Sequence, residues 1–174
     1  MQATETSPQL IVAQPLTHQN FAAFGDFIAP AAHDSTTINS GAAQRFDHLT
    51  RLDVSAHGGA ACLAIFRTQA DAHVAPFRLW AFERHCLGSQ TFVPMGDSRC
   101  LAVVTSGEQA PDESAIHAFV VEPGQGITVR RGVWHHPLIT LGAADVLVIE
   151  RRAAEADCEI KRIAGQFIVT VAGI

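Results

Sequence analysis

Apolar residues along this chain gather in short runs, some alternating with polar positions and some continuous and β-branched, and each run closes on Gly, Pro, Asp or Ser. Such runs read as strands, because a period of two places every second side chain on one face. The clearest cover 61–67, 77–85, 101–105, 118–122, 126–129, 146–150 and 167–171. Breaks at Gly58-Gly59, Gly88, Gly96-Asp97, Ser106-Gly107, Pro123-Gly124 and Gly142 have the chemistry of hairpin turns rather than of linkers. Strands so spaced predict an all-β fold, an antiparallel sandwich or barrel. One short N-terminal helix is predicted, capped by Thr17, with Phe21 and Phe24 on one face and Gly25 at its end, packed over an end of the barrel. The polar stretch 107–114 reads as an exposed loop. No helical periods alternate with the strands and no Gly-x-Gly-x-x-Gly loop is present, which excludes a doubly wound α/β fold. With no boundary, repeat or low-complexity tract, residues 1–174 are expected to form one domain.

Composition narrows the function. With 48% hydrophobic and 17% charged residues the chain can bury a proper core, so disordered and fibrous classes are excluded. The net charge of -5 comes with Lys and Arg scattered singly, so no basic stripe exists for phosphates and no nucleic-acid partner is expected. One or two local arginines would still suit a small anion. Residues 1–16 lack the basic start and apolar stretch of an export signal, and no segment reaches the roughly 18 apolar residues of a membrane helix. Cys62, Cys86, Cys100 and Cys158 show no Cys-x-x-Cys spacing, which argues against a zinc ribbon or redox pair and for reduced thiols in a cytoplasmic protein.

The chemistry concentrates in Glu83-Arg84-His85-Cys86-Leu87-Gly88-Ser89-Gln90. In a strand Glu83 and His85 share a face and Arg84 takes the other, while Gln90 opens the next strand after the turn at Gly88. This order resembles the first cupin motif, with Glu83 and His85 at its two histidine positions, Gln90 at its glutamate and Gly96 at its closing glycine. The second cupin motif is matched by Gly126 to His135, with Arg130 where that motif has proline, and His135 becomes the fourth inward group. On the residues alone two readings stand. Glu83, His85, Gln90 and His135 can ligate a divalent metal, weakly because Gln90 lowers the ligand charge, with positions open for substrate oxygens. Equally, they can form a hydrogen-bonded network inside the barrel with no metal, and no organic cofactor is expected either way.

Several neighbours have candidate roles. A regular strand turns only one of His135 and His136 inward, and the other is a supporting or interface residue. Trp134 reads as a core or dimer-contact aromatic. Arg67 and Arg84 each either clamp a substrate carboxylate bidentately or sit in an ion pair. Cys86 reads as a small interior hydrophobe rather than a nucleophile, because no oxyanion loop is evident. His18, His33, His48, His57, His73 and His117 lack partners at ligand spacing and are assigned surface or turn roles.

Taken together, Glu83 to Met95 and Gln125-Gly126-Ile127 with Gly132-Val133-Trp134-His135-His136-Pro137-Leu138 resemble the two signatures of the ureidoglycolate lyase family. Weaker agreement extends over nearly the whole chain, through Phe24 to Ile28, Ile38 to Gly41, Phe66-Arg67, Pro111-Asp112, His117 to Phe119 and Asp157 to Glu159. Departures are Trp80 for a histidine, Cys86 for proline, His117 for arginine and Glu150 for aspartate. The resemblance implies a cupin-like barrel, a homodimer, and a divalent metal of the nickel or manganese type. It also implies cleavage of (S)-ureidoglycolate, a small ureido-hydroxy acid, to glyoxylate and urea in allantoin and purine nitrogen catabolism, an amidine-lyase activity. Within that reading, Asn39, Arg67, Arg84 and Gln90 contact substrate, Glu83, His85, Gln90 and His135 hold the metal, and His136 moves a proton alongside them. The alternatives are another cupin enzyme, an isomerase or oxygenase, or a non-catalytic barrel that binds a small acid.

Overall fold

The structure is a computed structural model that describes residues 7–30, 34–69 and 75–172. In chain order its elements are β1 (Gln9–Pro15), α1 (His18–Phe21), β2 (Gly25–Ile28), β3 (Ser35–Ile38), β4 (Ala43–Phe46), β5 (Ala60–Thr68), β6 (Phe77–Arg78), β7 (Ala81–His85) and β8 (Gln90–Pro94). They continue with β9 (Cys100–Thr105), β10 (His117–Val121), β11 (Gly126–Val129), β12 (Trp134–His135), β13 (Ile139–Thr140), β14 (Ala144–Arg152), β15 (Cys158–Arg162) and β16 (Phe167–Val171). The all-β class with one short N-terminal helix is as the sequence predicts.

Two curled sheets face each other. One runs β15-β7-β12-β9-β10-β1-β16-β6 with β13 also on β9, and the other runs β2-β11-β8-β14-β5. Between them lies a core built from alternate residues of both, including Phe92, Ala102, Val104, Phe119, Ile127, Val146 and Val148. A second core, with Phe82, Leu101, Val103, Val120, Trp134 and Val169, fills the other face of the larger sheet. Strands β9 and β10 therefore read as unbroken apolar runs, because they are covered on both faces. Thr17 and Asn20 close a reciprocal capping box at the start of α1. Phe21 then drops onto Phe119, ring centroids 5.6 Å apart, and seals one end of the first core. At Gly25 a Cβ would stand 1.8 Å from the Thr128 carbonyl oxygen, so only glycine lets β2 approach β11.

Three features depart from the strand pattern. The run 77–85 is not one strand: Phe77–Arg78 pairs with β16, while Ala81–His85 pairs with β12 and β15, so the chain changes partners at Leu79 and Trp80. The pairing is not wholly antiparallel, because β1 inserts parallel to both β10 and β16. Cys86 is exposed rather than interior. The polar loop after β9 is surface, as expected, and so are His18, His48, His57 and His117, whereas His33 and His73 lie outside the described residues.

Candidate metal centre

Cross-strand register assembles the polar cluster. His135 of β12 lies opposite Glu83 of β7, and Cys158 of β15 lies opposite His85. From the facing sheet, Gln90 of β8 lies opposite Glu150 of β14, which lies opposite Cys62 of β5. Directly opposed residues share a face, so all of these project between the two sheets. At this end of the barrel the inward stripe changes from Phe92, Val146 and Val148 to acid, amide and imidazole. One ligand atom each from Glu83, His85 and His135 lies within 4.8 Å of the other two. The two imidazoles are nearly parallel, 5.7 Å apart at 29°.

The hydrogen bonds decide which atoms face the centre. His135 Nδ1 is 3.0 Å from the Val133 carbonyl oxygen, which only accepts, so Nδ1 carries the proton. Burial pushes the ring's pKa down to about 4, and nearby His85 and His136 add to that, so at neutral pH Nε2 bears a lone pair. That Nε2 is 3.1 Å from Gln90 Oε1 and 3.7 Å from Glu83 Oε1. Gln90 cannot turn its amide to relieve the contact, because its Nε2 donates to Glu150 Oε2 at 2.8 Å. His85 Nε2 is buried with no hydrogen-bond partner among the described residues. Glu83 is held above the usual carboxylate range, chiefly by burial, against a lowering from His85 and from the Cys158 thiol, 3.7 Å from its Oε2. Lone pairs of Gln90 Oε1 and Glu83 Oε1 thus face that of His135 Nε2, and a His85 nitrogen lies within 4.8 Å of ligand atoms of Glu83 and His135. A cation among the donors relieves that repulsion, and two imidazoles with carboxylate and amide oxygens suit a borderline divalent ion. The residues present fit a metal, on geometry independent of any resemblance.

The structure brings together Glu83, His85, Gln90 and His135, and leaves four other candidates outside. His136 points to the opposite face, where Nδ1 donates to the Pro137 carbonyl at 2.7 Å and the ring packs edge-on against Trp80 and Phe82. A proton-transfer role at the cluster does not fit that position, because adjacent residues of a strand diverge. Arg67 lies on the outer face of β5 in a two-bond pair with Asp145, both contacts 2.7 Å. Arg84 faces away from Glu83 and His85, as alternation requires, and lies 4.4 Å over the Trp134 ring while bonding Glu159 at 2.7 Å. Asn39 is exposed at the turn of the β3–β4 hairpin, with φ at 51°. Neither arginine is placed to clamp a substrate carboxylate at the cluster.

Arg84 instead supports the site from below. Its Nη1 also donates to the Glu108 carbonyl, tying the loop after β9 to β7. Replacing Arg84 with methionine is expected to remove the stacked cation, worth about 1–2 kcal/mol when desolvated. The melting temperature should then fall by roughly 4 °C, with the Michaelis constant unchanged; a large rise in that constant at unchanged stability would restore the clamp reading. Glu150 and Cys158 are contributors that the motif reading passed over. The signal for Glu150 was present, since Val146, Val148 and Glu150 alternate on one face and the stripe ends in a carboxylate.

Among the described residues no helix is long and apolar enough to cross a membrane. The family model described as ureidoglycolate lyase matches residues 8–170 of this chain. Over 139 residues the chain is 42% identical to the ureidoglycolate lyase of Burkholderia mallei strain NCTC 10229, covering 79% of this chain and 80% of that protein. It is 38% identical over 150 residues to the ureidoglycolate lyase of Pseudomonas fluorescens strain SBW25, covering 86% and 89%. Among solved structures, the oxalate decarboxylase of Lactobacillus farciminis in its formate complex aligns at a TM-score of 0.39 and 12% identity, over 59% of this chain and 27% of that one. A family match across residues 8–170, with relatives at this identity covered to four-fifths or more of their length, means that the chain belongs to the ureidoglycolate lyase family.

Proposed function

We propose that this chain cleaves (S)-ureidoglycolate to glyoxylate and urea, as a carbon–nitrogen lyase of the amidine-lyase kind in allantoin and purine nitrogen breakdown. The observation that carries the reading is the convergence of ligand atoms from Glu83, His85, Gln90 and His135 inside the barrel of a chain from this family. Ureidoglycolate bears a hydroxyl and a ureido nitrogen on one carbon, so its cleavage is the collapse of a carbinolamine. The hydroxyl gives up its proton, its oxygen forms the carbonyl of glyoxylate, the carbon–nitrogen bond breaks, and the nitrogen takes a proton to complete urea. Glu83, His85, Gln90 and His135 would hold a divalent ion of the nickel or manganese type, which would supply Lewis acidity toward hydroxyl and carboxylate oxygens.

The protein's own groups handle the protons. Glu83, whose burial raises its proton affinity, accepts the hydroxyl proton. The proton that Glu83 takes from the hydroxyl is the one the departing nitrogen needs, so Glu83 can return it there, while His85 serves as a ligand. His135 stays neutral and fixed by Val133, and Gln90 keeps its carbonyl toward the centre. Incubating the purified protein with ureidoglycolate should release urea and glyoxylate in equal amounts. Chelation should abolish the release and added nickel or manganese should restore it. Binding of the acid without urea formation would replace this reading with that of a small-acid-binding barrel.

The working unit in this reading is a homodimer. Leu63 and Ile65 of edge strand β5 are 66% and 47% exposed, and they lie directly opposite Ile149 and Leu147 on the outer face of β14. This contiguous apolar face is the surface for a second copy. Changing Leu63 to glutamate should convert a dimer into a monomer in light scattering; an unchanged mass would place the contact elsewhere.

A further inference from the structure

An amide side chain has two ends of nearly equal size, one a donor and one an acceptor. Which end faces a cation is therefore decided by what the other end meets. At Gln90 this choice is made from the neighbouring strand by Glu150. The carboxylate of Glu150 can only accept, it receives Gln90 Nε2 at 2.8 Å, and the carbonyl Oε1 is thereby left facing His135 Nε2 at 3.1 Å. No other side-chain hydrogen bond of Gln90 to the described residues makes this choice, and the residue is buried, so solvent does not make it either. With the amide reversed, an N–H bond would point at the lone pair of His135 Nε2, 3.1 Å away. That contact would then be a hydrogen bond that needs no cation, while Oε1 would face the Glu150 carboxylate, which opposes the reversal.

We propose that Glu150 is the positioning residue that selects the metal-competent orientation of Gln90, and so sets whether the amide offers the centre a carbonyl oxygen or an N–H. The inference rests on the cation reading given above and deepens it. Glu150 acts at one remove: it touches the amide, and the amide carbonyl faces the centre. Changing Glu150 to glutamine supplies a side chain that can accept or donate, so Gln90 samples both orientations and the cation-competent one is no longer enforced. Losses of about ten- to a hundredfold in metal affinity are usual when a partner that orients a ligand is removed, and the lower end is expected here because the ligand itself remains.

The test is a two-by-two set of proteins stripped of metal and titrated with nickel against a competing chromophoric chelator. The set holds the wild type, Glu150→Gln, Gln90→Glu, and the double variant, each checked for a native melting transition. Glu150→Gln in the wild-type background should weaken nickel binding about tenfold. In the Gln90→Glu background position 90 has no donor end to misdirect, and it gains a charge that Glu150 repels. There, Glu150→Gln should leave affinity unchanged or raise it. That change of sign is the signature of an orienting role.

If Glu150 merely attracts the cation through its charge, the same substitution weakens binding by the same factor in both backgrounds, and the proposal is overturned. It is equally overturned if Glu150→Gln has no effect in the wild-type background. Failure of the wild type itself to bind nickel would overturn the cation reading along with this inference, whereas normal wild-type binding with equal losses removes this inference alone.

Discussion

Replacing His85 with alanine is expected to lower kcat/KM for ureidoglycolate by about a thousandfold, because losing a ligand forfeits several kcal/mol of the charge stabilisation an ion would supply. The fold should barely notice. His85 is half-buried, its Nε2 makes no hydrogen bond to the described residues, and the backbone bond from Gly132 N to the His85 carbonyl oxygen, 2.8 Å, does not involve the side chain. A melting temperature within about 2 °C of wild type corresponds to less than about 1 kcal/mol. The two readouts separate chemistry from scaffold. Turnover close to that of wild type would remove His85 from the mechanism, and collapse of the fold would show that the residue is structural.

The second large effect is a loss of stability on acidification, set by His135. An unfolded imidazole titrates near 6.5, whereas in the fold burial lowers His135 to about 4. Between those values the unfolded chain binds the proton and the folded chain does not, so lowering the pH favours unfolding. The stability associated with the neutral ring is complete above the unfolded value and declines toward pH 4. From about pH 7.5 to about pH 5 the loss should be about 2 kcal/mol. Glu83 works in the opposite direction, because its raised proton affinity makes a protonated carboxyl easier to bury as the pH falls. Urea denaturation of the metal-free protein at both pH values, beside the His135→Asn variant, isolates the imidazole. The wild type should lose about 2 kcal/mol more than the variant; equal losses would mean that His135 takes up its proton in the fold as readily as in the unfolded chain.

Both effects depend on residues that strand alternation and two motifs made legible. Glu83 and His85 are two apart in one strand, Gln90 opens the next, and His135 follows the turn at Gly132, so period-two geometry alone turned them toward a shared space. The strands around them were equally readable wherever one face is apolar. What the pattern did not reveal lies in pairing between distant segments. Gln9–Pro15 is tied into the sheet mainly through backbone partners on β10 and β16, while Leu10 and Val12 remain exposed, so its side chains carry little trace of its place. The break between β6 and β7 follows from each half having a different neighbour, which no local signal encodes.

The arginines show the same limit in chemical form. Alternation already placed Arg84 on the face opposite Glu83 and His85, but the Trp134 ring waiting there became visible only once β12 was paired to β7. Arg67 likewise found its carboxylate in Asp145, its cross-strand partner, and not in a substrate. His136 went to the second core because its neighbour took the inward position. Glu150 sat in plain alternation with Val146 and Val148, yet its significance depends on meeting Gln90 across β8 and β14.

X-ray absorption spectroscopy at the nickel edge of the nickel-loaded protein addresses the convergence of these four side chains most directly. Two imidazoles bound to each nickel, with oxygen donors filling the rest of the shell, and one imidazole fewer in His85→Ala, is the result this geometry requires. A shell of water and carboxylate oxygens without imidazole, or a spectrum unchanged by His85→Ala, would contradict it.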